Sequence, residues 1–398
     1  MKKLLFLNAS RDSIPAIRRA RELGIYVITC DNRSSNPGHQ YADEMAELSY
    51  LDKDAVAEYC RTHQVDGIVT WSDRPINTVA YVQEQLGLPL IAPYESVCIL
   101  QDKGRFRQFL EDNGFNVPVQ RSFSSLSEGV ASALEWNYPV LVKPVDSAGS
   151  RGVTCVNDSD QLADAIREAL DNSLSGQYII ETFIQTDIPT SDSDFFAVEG
   201  QLQHSIFNFK RIDPTAVNPL TTHLLGWPTC LTEQQQVDCL NQLQRLIELL
   251  HVNTTILNVE FRIGVDGKAY MMECSPRPGG FMLCAIQDRA YGTHFFDNVI
   301  LSAVGLPMVE ADICQTSDYW LMATPHVEQT GKFQRLKISS EIVTNVVDYD
   351  MWIDTNETVE KNNQPGPYVG IVMLRFTDKE LFEKVVENAN DLIQPIVY

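Results

Sequence analysis

Alternating apolar strands and amphipathic helices at the start of the chain constrain its fold most strongly. Apolar runs at 2–8, 26–30 and 67–71 read as buried strands, and helical periodicity fills the segments between them. Strands and helices that alternate at this spacing predict a parallel sheet with crossover helices. Parallel sheets place ligands at the carboxyl ends of their strands. We therefore expect ligand-binding groups in the loops at 8–12, 31–34 and 71–74.

Length, charge and cysteine usage exclude several classes of protein. The chain has 398 residues, enough for two or three domains, and a formal net charge of −22. This acidity argues against a nucleic-acid partner and against docking on anionic membranes. The sequence lacks the run of about 20 apolar residues that a membrane helix needs. Nine cysteines without a CxxC pair predict reduced thiols and a cytoplasmic location.

The segment LNVEFRIGVDGKAYMMECSP predicts a β-hairpin that carries two glutamates. A two-residue turn at Asp266-Gly267 would place Glu260 opposite Glu273. Like charges held opposite each other are destabilising, unless a hard divalent cation bridges the two carboxylates. If the register slips, the two glutamates are instead separate surface groups. The same turn would pair Asn258 with Ser275 and Arg262 with Met271.

Two lysines stand at positions suited to phosphate. Lys143 ends a predicted strand and opens the glycine- and serine-rich loop KPVDSAGSRGV, whose exposed N–H groups could cradle phosphate. That loop is not a Walker A motif, because GxxxxGK[ST] is absent. Lys103 follows the candidate N-cap Asp102, where the helix dipole disfavours a cation unless an anion faces both. An ordinary turn and an exposed lysine are the alternatives.

Together, these segments resemble the ATP-grasp superfamily over nearly the whole chain. The shared order is a Rossmann-like start, Asp102-Lys103, Lys143-Pro144, a glycine-rich flap, the hinge sequence IIETFI at 179–184 and paired glutamates. The resemblance implies an α/β fold that becomes α+β in the C-terminal part. It divides the chain into a Rossmann-like domain at 1–100, a small lid subdomain with the flap at 101–185, and a large subdomain at 186–398. The large subdomain would carry the metal hairpin and, from about 318, a C-terminal α/β segment.

The resemblance also implies a reaction. ATP would convert a carboxylate into an acyl phosphate, and an amine would displace the phosphate, so that ATP and Mg²⁺ or Mn²⁺ are the expected cofactors. Small carboxylates and amines are the expected partners, and the chain could pair as a homodimer. The residues that match the family's phosphate-binding positions are Lys103, Lys143, Ser147, Gly149, Ser150 and Gly152. Glu181, Phe183 and Ile184 match the adenine contacts, Glu260, Glu273 and Ser275 the metal ligands, and Arg277 and Lys143 the catalytic groups.

Two positions depart from the family pattern. Ser275 stands where an asparagine usually supplies the third metal ligand, so a second metal would depend on water or on Asn258. The acidic residue for the ribose hydroxyls is not at its usual spacing after the hinge. A polar stretch at 185–194, predicted as a mobile loop, separates the hinge from Asp194, which is our candidate for that role.

Substrate identity is open at this level. Lys210, Arg211, His223 and Arg289 are candidates to bind a carboxylate, and the leading hypothesis is a ligase for an amino acid or a derived metabolite. A purine-pathway or carboxylase-type enzyme is the first alternative, although the histidine that usually follows SPRP is replaced by Gly279. A regulatory ATP-binding subunit without turnover is the second. In every case we expect Lys103, Lys143, Arg151 and Arg277 to converge on one polyphosphate site within an acidic exterior.

Overall fold

The first sheet is parallel, as predicted. A computed structural model describes residues 1–147, 149–216, 220–314, 316–361 and 368–398 of the protein. In it the sheet order is β3-β2-β1-β4, with every pair of neighbours parallel. Its strands are β1 (Lys3–Leu7), β2 (Tyr26–Cys30), β3 (Glu44–Ala46) and β4 (Gly67–Thr70), and the helices of this part are α1 (Ile14–Glu22), α2 (Lys53–His63), α3 (Ile76–Leu86) and α4 (Tyr94–Gln101).

The second sheet is antiparallel and contains the predicted flap and hinge strands. Its order is β5-β8-β6-β7, so the strand that ends at Lys143-Pro144 lies beside the strand that leads to the hinge. The elements are α5 (Lys103–Asp112), β5 (Gln120–Phe123), α6 (Leu126–Ala131), β6 (Val140–Pro144), β7 (Thr154–Val156), α7 (Leu162–Asp171) and β8 (Tyr178–Thr182).

The third sheet holds the glutamate hairpin at its edge. Its order is β10-β9-β13-β14, and all its pairs are antiparallel. The predicted loop at 185–194 is wrong at its end, because Ser191 already begins a strand in which Asp194 is the fourth residue. The elements here are β9 (Ser191–Val198), β10 (Gln201–Leu202), β11 (Phe209–Ile212), β12 (Thr222–Trp227), α8 (Glu233–Leu249), β13 (Thr255–Ile263), β14 (Ala269–Ser275), α9 (Leu283–Tyr291) and α10 (Phe295–Ala303).

The C-terminal part completes the large subdomain with two further antiparallel sheets. One has the order β11-β12-β15-β19-β17, and the other has the order β18-β16-β20. The last helix begins after Asp378, whose side chain caps it. The elements are β15 (Tyr319–Ala323), β16 (Gly331–Ile338), β17 (Val346–Met351), β18 (Thr358–Val359), β19 (Gly370–Phe376), α11 (Lys379–Leu392) and β20 (Ile393–Val397).

Each sheet draws its strands from one side of the predicted divisions at residues 100 and 185, which stay predictions as domain boundaries. Helix α8 begins with a capping box between Thr232 and Gln235. Among the described residues, every helix is too short or too polar to cross a membrane.

Candidate active site

The paired glutamates lie opposite each other in the hairpin. Glu260 of β13 pairs with Glu273 of β14, and Asn258 pairs with Ser275, as predicted. The predicted two-residue turn is wrong, however, because the loop has three residues. Gly264 N–H donates to the Lys268 carbonyl at 2.9 Å, and Gly267 takes a φ of +78° that favours glycine.

A β-bulge restores the register that the longer turn would have shifted. Near the turn Arg262 faces Tyr270 and not Met271, one residue away from the predicted pairing. Between Glu260 and Phe261 the ladder shifts by one residue, which leaves Met272 as the extra residue of β14. The two glutamates therefore face each other because a longer turn and a bulge compensate.

The bulge is held by a buried arginine that sequence reasoning missed. Arg107 of α5 is fully buried, and its Nη2 donates to the Met272 carbonyl at 2.8 Å. Its Nε donates to Glu181 Oε2 at 2.9 Å, so one guanidinium joins α5, the hinge strand β8 and the hairpin. The one signal in the sequence was a charged residue among the apolar positions of that helix.

Glu181 pairs with Lys143 in the interior of the protein. Its carboxylate is fully buried and accepts from Lys143 Nζ at 2.6 Å. Burial alone would raise the pKa of Glu181, but the charges of Arg107 and Lys143 outweigh it and hold the pKa at about 2. Burial also lowers the pKa of Lys143, an effect that Glu181 opposes. The side-chain contact to adenine expected for Glu181 is thus replaced by an ion pair that positions Lys143.

Lys103 connects the flap to the glutamate hairpin. It is the first residue of α5, after the N-cap Asp102. Its Nζ donates to the Ser147 carbonyl at 2.6 Å and lies 3.1 Å from Glu273 Oε1. Desolvation would raise the pKa of Glu273, but Lys103 and then Lys143 hold it at about 2, so the carboxylate is ionised. Lys103 and Lys143 therefore act on one carboxylate, as the predicted convergence requires.

A third carboxylate extends the glutamate pair across the sheet. Asp192 of β9 is directly opposite Glu260, and Lys210 Nζ contacts Glu260 and lies 3.0 Å from Asp192 Oδ2. Burial would lower the pKa of Lys210, but the two carboxylates raise it. Asp192 was missed, although the alternation in SDSDFF signals that it shares a face with Asp194.

The donor set of this row suits a hard divalent cation. Asp192, Glu260 and Glu273 present carboxylate oxygens from three adjacent strands, and such oxygens are the ligands that Mg²⁺ and Mn²⁺ prefer. Lys103 lies 3.1 Å from Glu273, and Lys210 contacts Glu260, so two cations border this row of carboxylates. The residues therefore fit the metal that the sequence predicted.

Ser275 is engaged with protein groups and is not placed as a metal ligand. Its hydroxyl accepts from Gln101 Nε2 and donates to Asp73 Oδ1, both at 2.9 Å. Arg277 donates two hydrogen bonds to the same Asp73 carboxylate, from Nε at 2.8 Å and from Nη2 at 2.6 Å. Asp73 follows β4, within one of the strand-end loops expected to carry ligand-binding groups, so the first domain contributes directly to the site.

Asp194 does not lie where a ribose-binding residue must lie. It pairs with Asn258, whereas the hinge contacts the hairpin four residues further along β13, at Arg262, roughly 13 Å away. Its carboxylate is fully buried and accepts from Gly279 N–H at 2.9 Å. Burial raises the pKa of Asp194 to about 7 against the opposing effect of that N–H. Asp194 instead supports the loop after Arg277.

The hinge follows β8, and the flap lies between β6 and β7. Phe183 N–H donates to the Pro139 carbonyl at 3.0 Å, and the Ile184 carbonyl accepts from Arg262 Nη1 at 3.4 Å. In the flap, positive φ angles occur at Gly149, Ser150 and Gly152. A side chain at position 152 would meet Asn172 and Pro144 within 3 Å, so glycine is required there. Residue 148 of the flap lies outside the described residues.

The remaining carboxylate-binding candidates are divided. Lys210 lies in the site, whereas Arg289 pairs with Asp348 at 2.5 Å on an exposed surface and does not face the glutamates. Arg211 is exposed, and His223 lies with Asp213 and His326 further along the C-terminal sheet. Arg151 is partly exposed in the flap.

Comparison with known proteins decides the family. A model of the ATP-grasp N-terminal domain matches residues 17–90, and a model of the ATP-grasp domain matches residues 136–285. Together they cover more than half of the chain. The chain belongs to the ATP-grasp family. In this ATP-grasp protein the matched region includes Lys143, Glu181, Glu260, Glu273 and Arg277.

Named relatives agree with this assignment. The formate-dependent phosphoribosylglycinamide formyltransferase of Synechococcus sp. (strain CC9605) is 28% identical over 308 residues, which are 73% of this chain and 72% of that protein. Several other curated relatives are aligned over about half of their own length or less.

Solved structures share the fold of this ATP-grasp chain from end to end. The L-amino acid ligase from Bacillus licheniformis has a TM-score of 0.81 at 20% identity, covering 100% of this chain and 99% of that one. The phosphoribosylglycinamide synthetase from Anaerococcus prevotii has a TM-score of 0.77 at 17% identity, with 100% of both chains covered. The predicted α/β fold with antiparallel sheets is confirmed.

Proposed function

We propose that this chain is an ATP-dependent, ADP-forming carboxylate–amine ligase that acts on an amino acid or an amino-acid-derived metabolite. The observation that carries the proposal is the meeting of Lys103, Lys143 and the opposed pair Glu260 and Glu273 at one hairpin, with Arg277 at its end. Such an arrangement suits a reaction in which the protein positions groups and neutralises phosphoryl charge.

Each side chain has a role in the proposed reaction. Lys103 and Lys143 hold phosphate oxygens, and the flap N–H groups at 149–152 close over them. Phe183 offers its carbonyl and Ile184 its N–H to the adenine edge. Glu260 and Glu273 would hold Mg²⁺, which would supply neutralisation of the phosphoryl charge. Arg277, planar and permanently charged, holds the substrate carboxylate and keeps it in place as the acyl phosphate forms.

The next step depends on the ionisation state of the substrate amine. An amine attacks an acyl phosphate only as the free base, so it must lose its proton before the C–N bond forms and phosphate leaves. The product side is then ADP, phosphate and an amide.

A purine-pathway ligase is the second candidate, because the relatives named for phosphoribosylglycinamide chemistry include one aligned over 73% of this chain. Gly280, which follows Arg277 and has open space where a side chain would stand, allows a substrate close to the backbone in either case, whereas Gly279 packs against Asn258 and Asp194. A cytoplasmic location and a homodimeric state belong to the same proposal.

Turnover with a substrate panel tests the proposal. Purified protein with Mg-ATP would be incubated with mixtures of amino acids and of phosphoribosylamine-type amines plus small carboxylic acids, and ADP release followed. Mass spectrometry of the products then identifies the acid and the amine. ADP release only with an acid and an amine together supports a ligase. ATP binding without turnover on any mixture would favour a regulatory subunit.

Glu273→Gln tests the metal assignment. Removal of one carboxylate charge should abolish ADP formation while the circular dichroism spectrum and unfolding temperature stay close to those of the parent. Glu248→Gln, a change on the solvent side of α8, is the matched control and should keep full activity. Undiminished activity of Glu273→Gln would contradict the assignment.

A further inference from the structure

Three side chains with metal-binding donors meet in the C-terminal part of the molecule, away from the glutamate hairpin. Asp213 follows β11, and His326 and Glu328 follow β15, so the group joins the ends of two strands of one sheet that are separated by β12. Asp213 and His326 are buried, and the Glu328 side chain is 47% exposed. One ligand atom from each lies within 4.8 Å of the other two.

The environment of His326 fixes which ring nitrogen carries a proton. Nδ1 lies 3.2 Å from the Thr324 carbonyl, which can only accept, so Nδ1 is the donor in this contact. Nε2 then faces two carboxylate oxygens, Asp213 Oδ2 at 3.2 Å and Glu328 Oε1 at 3.3 Å. A metal ion between these three atoms would be bound by the Nε2 lone pair and by both carboxylates.

The distances favour a metal ion. A charge-assisted N–H···O bond is about 2.7–2.9 Å long, and the Lys143–Glu181 and Arg107–Glu181 pairs of this protein measure 2.6 and 2.9 Å. Both His326 contacts are longer. Ligands at about 2.0–2.1 Å from a tetrahedral Zn²⁺ are about 3.3 Å from one another, which matches both contacts.

The surrounding hydrogen bonds are those that orient metal ligands. Asp213 Oδ2 accepts from Asn390 Nδ2 at 2.5 Å, and Oδ1 accepts from Thr215 Oγ1 at 2.6 Å, so the carboxylate is fixed from both sides. The bond from His326 Nδ1 to a backbone carbonyl fixes the ring with Nε2 aimed at the carboxylates. His223 Nδ1, nearby, is buried without a hydrogen-bond partner among the described residues.

We propose that Asp213, His326 and Glu328 bind a divalent transition-metal ion of the Zn²⁺ type, with a fourth position left to water or to a ligand. Imidazole is a ligand of Zn²⁺ and of related ions but not of Mg²⁺, so this site and the all-carboxylate hairpin differ in metal preference. The proposal does not depend on the ligase function.

The test measures Zn²⁺ binding to the full chain. After treatment with a chelator, the protein would be titrated with Zn²⁺ by calorimetry in excess Mg²⁺, which occupies the hairpin. Glu273→Gln is measured beside the parent to remove the hairpin's contribution. One equivalent of Zn²⁺ bound by both proteins supports the proposal, and no binding by either overturns it.

Variants at the site locate the ion. His326→Gln and Glu328→Gln should each lower the Zn²⁺ affinity at least about tenfold. Glu328→Gln changes a half-exposed residue and therefore serves if His326→Gln does not fold. His251→Asn, at an exposed histidine with a φ of 51° that asparagine tolerates, is the matched control. Equal affinity of the parent, His326→Gln and Glu328→Gln would overturn the assignment.

Discussion

At the scale of single residues, the site depends on side chains whose partners are fixed by burial. Arg107 and Glu181 are both fully buried, and an unpaired charge on either side chain would be costly. Arg277 and Asp73 form a two-point contact across 204 residues of sequence. These pairs fix the groups that approach phosphate and carboxylate.

Arg107→Met should strongly destabilise the fold. The change leaves Glu181 with one cation in place of two and removes the donor to the Met272 carbonyl, so we expect a loss of about 3–5 kcal/mol in the free energy of unfolding. Urea denaturation measures it. Arg121→Met removes an exposed ion pair with Glu135 and should cost less than about 1 kcal/mol. Equal losses would show that Arg107 is not structural.

Arg277→Lys should lower catalysis without unfolding the protein. Lysine keeps the charge but cannot make the two-point contact with Asp73 or with a substrate carboxylate, and we expect ADP formation to fall about a hundredfold. The rate of ADP release in saturating ATP is the readout. Arg375→Lys, at an exposed pair with Asp318, is the control and should be unaffected. A fully active Arg277→Lys enzyme would rule out the proposed role.

At the scale of elements, the hairpin shows what the sequence could and could not predict. Strand periodicity and the Asp-Gly pair predicted Glu260 opposite Glu273, and that pairing holds because the extra turn residue and the bulge compensate. The turn length was not predictable, because Asp266-Gly267 fits both a two-residue and a three-residue loop. The bulge at Met272 was not predictable either, since it depends on Arg107, a residue of a distant helix.

The same limit explains the misassigned residues. Asp194 was the ribose candidate because it follows the polar stretch after the hinge, but in the strand β9 its carboxylate accepts from Gly279 N–H. Ser275 was assigned from a family position, whereas Gln101 and Asp73, which take up its hydroxyl, come from other elements. Contacts between elements far apart in sequence decide these roles, and a single sequence does not contain them.

Acid should weaken the contact between α5 and β8 in a defined window. The pKa of Glu181 is lowered from 4.5 to about 2 in the folded state, so its ion pairs stabilise the protein above pH 4.5 and stop doing so as the pH falls towards 2. The difference in unfolding free energy between the parent and Arg107→Met should shrink over that window. Denaturation at a series of pH values measures it, and a constant difference would contradict the prediction.

At the scale of the whole molecule, several cations of an acidic protein are paired with carboxylates at the candidate site. The chain has 31 lysines and arginines against 53 acidic residues, yet Lys103, Lys143, Arg107 and Lys210 all meet carboxylates of the central sheets. An acidic exterior disfavours nonspecific anion binding, so we expect polyphosphate to bind at this one place.

Mg-ATP should raise the unfolding temperature. A ligand at one hundred times its Kd adds about 2.7 kcal/mol to stability, because it binds only the folded state. In Lys103→Gln the shift should be much smaller, and in Lys268→Gln, at the exposed turn of the hairpin, it should be unchanged. Differential scanning fluorimetry with and without Mg-ATP measures the shifts. A full shift in Lys103→Gln would place ATP elsewhere.

Helix α5 also limits how the molecule can move. Its first residue reaches Glu273, and one turn later Arg107 holds both the hairpin bulge and the strand that leads to the hinge. Helix α5 thus ties β8 to the glutamate hairpin. A swing of the whole lid would require Arg107 to release Met272 or Glu181 on every turnover.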